Sequence, residues 1–407
     1  MSQAARVVDA GPRRAPAAAA IPAGNLTVQL HRDLDLPPED AAAVAGLLES
    51  RPSIAVFLSK AWLSGYFAEP PEGFEPSLVM LREGGVLRGF APIAVRATRR
   101  GARVRMLGGG AGSDRTDLIA ARGYEAAGAD AFLSWLGTTF GKGFVLELWD
   151  VPAESSLWGG VHRANAERSR NLTVQPREIH TLPFLEIGED ASSADDPSSG
   201  PSRPRSLEKH RRWLERRGCI RVDRLEELGE VMQAFDCLGQ FLHARWRDTP
   251  GGSALDDPRL SRFHRHALPL LLKDGRLRML RLSADARTIG VFYGVASGPW
   301  WGYCLAGYDR EWAGRIHLGQ ITLATAIELA AHEGAREFDF LKGAHAVKYL
   351  WPVRERSTLD AEVYPDGLRP QLARAAWASR EMAAALGKSA RGVLPHGRLR
   401  RRQHGAS

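Results

Sequence analysis

Two blocks of apolar residues, similar in length, lie on either side of a polar segment of this chain. The first block alternates between helical and strand-like spacing, and it predicts a helix, three strands, a helix, a strand and a helix. These elements fall at residues 53–68, 77–82, 86–97, 103–108, 124–140, 143–151 and 157–170.

The second block predicts a basic helix, a short strand, two helices, a three-stranded meander, a long helix and a last strand. They fall at residues 207–217, 219–223, 225–247, 258–272, 276–283, 288–296, 300–309, 318–334 and 337–343. Helix, meander, helix and strand is the order of an α/β domain with a splayed central sheet. The related order of the two blocks is typical of a duplicated domain.

The polar segment between the blocks is rich in Ser, Pro, Asp and Gly, which cannot pack a core. The expected organisation is therefore a leader, a domain, a linker, a second domain and a tail. We expect a disordered leader over 1–26, a domain over 27–187, a flexible linker over 188–204, a second domain over 205–366, and a C-terminal helix and basic tail over 367–407.

Composition indicates an ordinary soluble protein, with 44% apolar and 25% charged residues. Every apolar run is shorter than the roughly 18 to 20 residues that span a bilayer, so we expect no membrane span and a cytoplasmic location. Three distant cysteines, Cys219, Cys237 and Cys304, give neither a disulfide framework nor a zinc site, and we expect no metal. The net charge of +8 leaves anionic partners open, and a solvated, solubilising surface charge is the alternative, which we favour for the C-terminal tail.

Residues 334–351, GAREFDFLKGAHAVKYLW, resemble the pattern G-x-x-x-FDF-x-x-G-x-x-x-x-K-x-x-W of the CelD/BcsL-type acetyltransferase-like family, within the GNAT superfamily. The segments VFLSKAWL, FLHARW and GYDREWAGRIHLGQITLATAIELA follow the family order, so the resemblance covers most of residues 50–355. Two departures stand out. His345 and Val347 replace an acidic and an aromatic residue of many relatives, and the phosphate loop at 310–315 has one glycine displaced.

The resemblance implies an α/β (α+β) fold of tandem GNAT-like domains, each with a mixed, mostly antiparallel splayed sheet flanked by helices. It also implies distant kinship to Fem-type aminoacyl transferases. The implied activity is transfer of an acyl group to an amine or hydroxyl of a small-molecule or saccharide acceptor, in exopolysaccharide- or cellulose-related metabolism. The donor would be acetyl-CoA or a longer acyl-CoA.

The proposed donor site is the start of the helix that begins near His317. Its first turn offers the backbone N–H groups of Leu318, Gly319 and Gln320, where the helix dipole favours a pyrophosphate. Gly319 would let the ligand approach the backbone closely, and Arg310 and Arg315 would add charge-assisted contacts. The alternative is an ordinary core helix beside solvated arginines.

Catalysis needs an oxyanion donor, an acid and a base. The strand 303–307 should expose a backbone amide to the thioester carbonyl, and Tyr303 or Tyr308 is a candidate proton donor to the thiolate. His243, on a long helix with Trp246 three residues on, is a candidate base with Trp246 in the acceptor site. Sheet-packing tyrosines and a satisfied helix histidine are the alternatives.

Two charged residues of the hallmark segment complete the candidates. Asp339 alternates with two phenylalanines, so it faces away from them and is placed in the catalytic set, while Lys348 is placed at the acceptor. Structural salt bridges are the competing explanation.

Two other readings of the sequence stay open. The basic helix at 208–218 is an alternative docking site for an acidic acyl carrier protein or an aminoacyl-tRNA donor, although no specific nucleic acid is expected. A non-catalytic GNAT-like scaffold is a further alternative. We expect the first half to be structural and to wall one side of the acceptor cleft.

Overall fold

The computed structural model describes most of the two predicted domains. The described residues are 21–23, 25–98, 101–110, 112–166, 171–188, 220–249, 252–313, 317–343 and 345–367. Nearly all of the expected leader, linker and tail, the basic helix at 207–217 and Arg315 therefore lie outside the described residues.

The N-terminal half contains eight strands and five helices among its described residues. They are β1 (Ile21–Ala23), β2 (Leu26–His31), α1 (Pro38–Glu49), α2 (Pro52–Ala55), α3 (Lys60–Ala68), β3 (Glu75–Glu83), β4 (Val86–Thr98), β5 (Gly101–Met106), β6 (Ile119–Ala120), α4 (Glu125–Phe140), β7 (Phe144–Pro152), α5 (Ser156–Ala166) and β8 (Leu172–Glu186). The helix predicted over 53–68 is divided, because the Ser59 side chain accepts a hydrogen bond from the Trp62 N–H and caps α3. Strand β1 lies within the expected leader.

The C-terminal half follows the predicted order closely. Its elements are β9 (Ile220–Arg224), α6 (Leu228–Trp246), a 3₁₀ turn (Ala254–Asp256), α7 (Pro258–Lys273), β10 (Leu277–Ala284), β11 (Arg287–Ser297), β12 (Trp300–Tyr308), α8 (Arg310–Ala313), α9 (Leu318–His332), β13 (Glu337–Asp339), a second 3₁₀ turn (Lys348–Leu350) and β14 (Arg354–Pro365).

All the described strands join one mostly antiparallel sheet in the order β1-β2-β3-β4-β5-β7-β14-β8-β13-β12-β11-β10-β9, with β6 on β4. Two separate sheets were expected. They are continuous because the halves exchange their last strands: β8 pairs with β13, and β14 pairs with β7. The exchanged strands also pair with each other along the whole of β14.

The two halves share a hydrophobic core as well as a sheet. One buried cluster contains Trp62 and Tyr66 of α3 together with Phe263 of α7 and Tyr293 of β11. The helices α3 and α7 approach so closely that a Cβ atom on Gly65 would lie 2.4 Å from the Phe263 ring. The halves therefore form one packed unit around the strand exchange.

The sheet opens at one place in the C-terminal half. The parallel pairing of β12 with β13 covers only Trp300–Gly302 against Glu337–Asp339, while β12 runs on to Tyr308. On its other side β12 has a β-bulge, because the register jumps from Tyr303 to Leu305 and leaves Cys304 without a partner. Bulges of this kind re-aim strand residues and are common next to functional sites.

Candidate active site

A cavity of about 820 Å³ fills the opening between β12 and β13. Its walls come from the free end of β12, the start of α9, the end of α6, the loop after β13, and Asp114 from the N-terminal half. Clefts of this size that combine apolar walls with a few polar groups are typical ligand sites.

The start of α9 forms one wall, as predicted from the sequence, and Leu318, Gly319 and Gln320 all line the cavity. The N–H of Gln320 donates to the His317 carbonyl at 2.9 Å. Gln320 is therefore not one of the open backbone donors that were expected. The N–H groups of Leu318 and Gly319 lie earlier in the turn, where no intrahelical acceptor is available.

A neighbouring side chain leaves little room for a Cβ atom at Gly319. A Cβ atom at this position would lie 3.3 Å from the Tyr308 ring, closer than a comfortable contact. The absence of a side chain thus lets Tyr308 pack against α9. Access of a ligand to the helix backbone, the reason expected from the sequence, is a second consequence of the same small residue.

The mouth of the cavity is basic and aromatic. Arg245, Trp246 and Arg310 line it, and the Arg245 guanidinium lies 5.1 Å from the centre of the Trp246 ring. Arg310 also donates a 3.0 Å hydrogen bond to the Ala244 carbonyl near the end of α6, which holds α8 against that helix. These groups give the entrance an affinity for anions.

Two tyrosines of β12 form a buried hydroxyl pair on the cavity wall. Tyr303 and Tyr308 hydrogen-bond to each other, and desolvation raises the pKa of both hydroxyls. The Tyr303 ring stacks on Phe292, with 5.4 Å between ring centres. Both hydroxyls therefore keep their protons at neutral pH and can act as hydrogen-bond and proton donors.

The bulge residue Cys304 also faces the cavity. Burial raises the pKa of its thiol well above the ordinary value, which favours the neutral form. A neutral thiol is a poor nucleophile, so this environment disfavours a covalent role for Cys304.

Lys348 lies at the inner end of the cavity and is almost fully buried. Its ammonium donates to the carbonyls of Phe340 at 2.8 Å, Leu341 at 3.2 Å and Lys342 at 2.7 Å. Desolvation lowers its pKa to about 8. Because all three N–H groups point to backbone carbonyls, Lys348 fixes the loop after β13, in which Leu341 has a left-handed φ of 57°.

Asp339 is placed outside the cavity, against the sequence expectation of a catalytic role. It is fully buried in an ion pair with Arg115 of the N-terminal half, and it accepts hydrogen bonds from the Leu341 N–H at 2.8 Å and the Trp300 Nε1–H at 3.3 Å. The competing structural explanation fits this geometry, because both carboxylate oxygens contact protein groups.

His243 is also outside the cavity. It is 66% exposed, and its Nδ1 lies 2.9 Å from Asp256 Oδ1 on the solvent side of α6. The cavity-facing residues of α6 are Leu242, Arg245 and Trp246, which follow i, i+3, i+4 spacing and leave His243 off that face.

A carboxylate that the sequence reasoning missed lines the cavity. Asp114 lies in the loop between β5 and β6, and it lines the cavity with its side chain 27% exposed. Desolvation raises the pKa of its carboxyl group, with a further contribution from nearby Asp150. The only signal in the sequence is a run of polar residues, SDRTD, after the glycines at 108–112.

The loop that carries Asp114 is held on both sides. Ser113 Oγ accepts a 2.8 Å hydrogen bond from Trp62 Nε1 and lies 3.0 Å from the Tyr66 hydroxyl. On the other side, Arg115 pairs with Asp339, as described above. The contacts of both neighbouring residues restrict the position of Asp114.

Comparison with known proteins is consistent with this geometry. Residues 201–349 match the model of a family described as an acetyltransferase (GNAT) domain. This match covers the basic mouth, α9 and all but the last two residues of the hallmark segment. The narrower CelD/BcsL-type family stays a prediction. A comparison with curated proteins gives no match.

Two solved structures share this fold at low sequence identity, and a third resembles it more weakly. The structure described as FemX is 11% identical with a TM-score of 0.58, covering 82% of this chain and 97% of that one. A conserved protein of unknown function from Bacteroides thetaiotaomicron VPI-5482 is 9% identical with a TM-score of 0.50, covering 82% and 98%. A tandem GNAT protein from the clavulanic acid biosynthesis pathway is 14% identical with a TM-score of 0.44, covering 84% and 99%. The predicted fold class, mixed α/β and GNAT-like, is confirmed.

None of the helices in the described part of the chain combines the length and apolar character needed to span a membrane.

Proposed function

We propose that this protein is an acyltransferase that moves an acyl group from acyl-CoA to an amine of a small-molecule or saccharide acceptor in the cytoplasm. The observation that supports this most directly is the cavity itself, which joins the start of α9, the bulged end of β12 and the Asp114 carboxylate. The proposal also rests on the match of residues 201–349 to the acetyltransferase (GNAT) domain.

The donor fits the α9 side of the cavity. The first-turn amides of Leu318 and Gly319 would hold the pyrophosphate, with charge from Arg310 and Arg245 at the mouth. Arg315 keeps its proposed role in this set. The thioester would then extend along β12 toward the bulge at Cys304, where the interrupted ladder is the place for a backbone N–H to meet the carbonyl oxygen.

The acceptor fits the opposite side, where Asp114 faces the same space. A carboxylate attracts an alkylammonium group more strongly than a neutral hydroxyl, which favours an amine acceptor. The raised pKa of Asp114 also makes it a stronger base than an ordinary aspartate. Trp246 would contact the acceptor at the mouth, and Lys348 would act through its charge and the loop it holds.

The reaction is direct transfer in a ternary complex. Asp114 accepts a proton from the bound ammonium group, which frees the nitrogen lone pair. The nitrogen then attacks the carbonyl carbon, a C–N bond forms, the C–S bond breaks, and the second nitrogen proton is lost to solvent. Tyr303, hydrogen-bonded to Tyr308, donates a proton to the departing thiolate and is reprotonated from solvent.

Calorimetric titration with acetyl-CoA and longer acyl-CoAs tests the donor site. We expect saturable binding. Gly319→Glu should weaken the affinity about tenfold or more, because its carboxylate lies at the positive end of α9, where it repels the pyrophosphate. Gly319→Ala is the matched control, since it crowds Tyr308 without adding charge. No binding of any acyl-CoA by the folded protein would refute the proposed donor. In that case, acyl carrier protein and aminoacyl-tRNA are the next donors to assay, and a non-catalytic scaffold follows if both fail.

A further inference from the structure

Lys342 lies between two carboxylates at the inner edge of the cavity. Its Nζ is 2.6 Å from Asp150 Oδ1 and 3.8 Å from Asp114 Oδ1. Its backbone N–H also donates to Asp114 Oδ2 at 3.3 Å. One residue of the C-terminal half therefore contacts Asp114 through both its side chain and its main chain.

Asp150 is held in place at the strand exchange. It lies on β7 with a left-handed φ of 59° and is fully buried. Its Oδ2 accepts the Gly110 N–H at 2.8 Å, and its own N–H donates to Asp360 Oδ1 on β14 at 2.7 Å. His180 of β8 lies 3.0 Å from the other Asp360 oxygen. These contacts anchor the carboxylate that draws the Lys342 ammonium away from Asp114.

We propose that Lys342 is a positioning residue whose ammonium, held by Asp150, sets the proton affinity of Asp114. This inference rests on the proposed role of Asp114 as the base. A cation within about 4 to 6 Å of a carboxyl group lowers its pKa by about 1 to 3 units. Lys342 lies closer to Asp150 than to Asp114, and the negative charge of Asp150 opposes its effect. The pKa of Asp114 is therefore lowered by less than this amount, and its carboxylate stays basic enough to accept a proton.

The other groups around Asp114 come from several elements. Lys348, on the 3₁₀ turn, adds a second positive charge, and Asp150 adds a negative one from β7. The Cys304 thiol of β12 and the Tyr66 hydroxyl of α3 also interact with Asp114, but burial keeps both neutral. Lys342 is thus the cation among these groups that lies close to both Asp114 and a second carboxylate, Asp150.

The arrangement predicts opposite effects from removing either partner. Lys342→Met removes the cation, so the pKa of Asp114 should rise by about 1 to 3 units. Asp150→Asn removes a negative charge and leaves Lys342 to Asp114, so that pKa should fall. Asparagine is well suited to the left-handed φ at residue 150, which makes this substitution conformationally mild.

Nuclear magnetic resonance measures this pKa without any enzymatic assay. Protein labelled with ¹³C at the aspartate carboxyl carbons is titrated, and the signal that disappears in Asp114→Asn identifies Asp114. Lys342→Arg should keep the titration near that of the unmodified protein. Lys142→Met is the charge-matched control, because Lys142 is an exposed residue in the loop before β7.

An unchanged titration in Lys342→Met, or shifts of the same sign in Lys342→Met and Asp150→Asn, would overturn the inference. If Lys342→Met does not fold, Lys342→Gln carries the same expectation. The proposed function can fail separately from this inference. If the two variants shift the pKa of Asp114 in opposite directions but the protein transfers no acyl group, catalysis by Asp114 is refuted, whereas the effect of Lys342 on that pKa is confirmed. In an active enzyme, the acidic limb of the pH–rate profile should move with the titration.

Discussion

Asp117 should make the protein less stable as pH rises from about 4 to 7. The residue is 1% exposed, and its Oδ1 accepts hydrogen bonds from Ser155 Oγ and from the Leu118 N–H at 2.8 Å. Among the described atoms, its Oδ2 has no hydrogen-bond partner. Burial raises the pKa of this carboxyl group from 3.8 to about 7.

The size of the effect follows from linkage between proton binding and folding. A shift of about 3 units corresponds to about 4 kcal/mol, at 1.36 kcal/mol per unit. Between the two pKa values the folded state binds the proton and the unfolded state does not, so the free energy of unfolding falls as pH rises. Below about pH 4 both states are protonated, and above about pH 7 both are ionised and the loss is complete.

Urea unfolding of the protein and of Asp117→Asn, at several pH values from about 4 to 8, measures this effect. Asparagine keeps the acceptor oxygen but buries an amide N–H₂, so the variant should be about 1 to 3 kcal/mol less stable in acid. Between about pH 4 and pH 8, the difference in unfolding free energy between the two proteins should change by about 4 kcal/mol in favour of the variant. Parallel stability curves for the two proteins would refute a buried, proton-retaining Asp117.

Three further outcomes are expected. Arg115→Met should cost about 3 to 5 kcal/mol of unfolding free energy by stranding Asp339, and a double-mutant cycle with Asp339→Asn should show strong coupling; additive losses would contradict the ion pair. Gly65→Ala should cost about 1 to 3 kcal/mol in urea unfolding by clashing with Phe263, whereas Gly46→Ala, on the open side of α1, should not destabilise. His243→Ala should leave acyl transfer, measured by thiol release, within about twofold, and a large loss would return His243 to the site.

Local sequence patterns were sufficient to predict most of the elements of the C-terminal half. The strand ends of the meander β10–β12 and the start of α9 lie within one or two residues of the predicted positions. Apolar periodicity and polar turns define these elements. Together with the family resemblance, these patterns pointed to Tyr303, Trp246 and Gly319, which line the cavity. These residues are close in space to the hallmark segment and belong to the same half.

The exchanged strands and Asp114 could not be found in this way. Strand β8 contains Pro176 and Pro183, and its Ile179 is 69% exposed, so it lacks the alternation of an isolated amphipathic strand. It is a strand because β13 and β14 pair with it from distant parts of the chain. Asp114 likewise meets Lys342 across 228 residues, a contact that no local pattern encodes.

The strand exchange also has a consequence for synthesis on the ribosome. The strand that covers β7 is β14, which ends at Pro365. After the last strand of the N-terminal half, β8, has been synthesised, almost two hundred further residues must follow before β14 is complete. During that interval the edge of β7 presents unpaired N–H and C=O groups, the usual template for intermolecular pairing. Chaperone demand during translation should therefore be highest for this half, and a chain stopped before β14 should aggregate although most of its own residues have emerged.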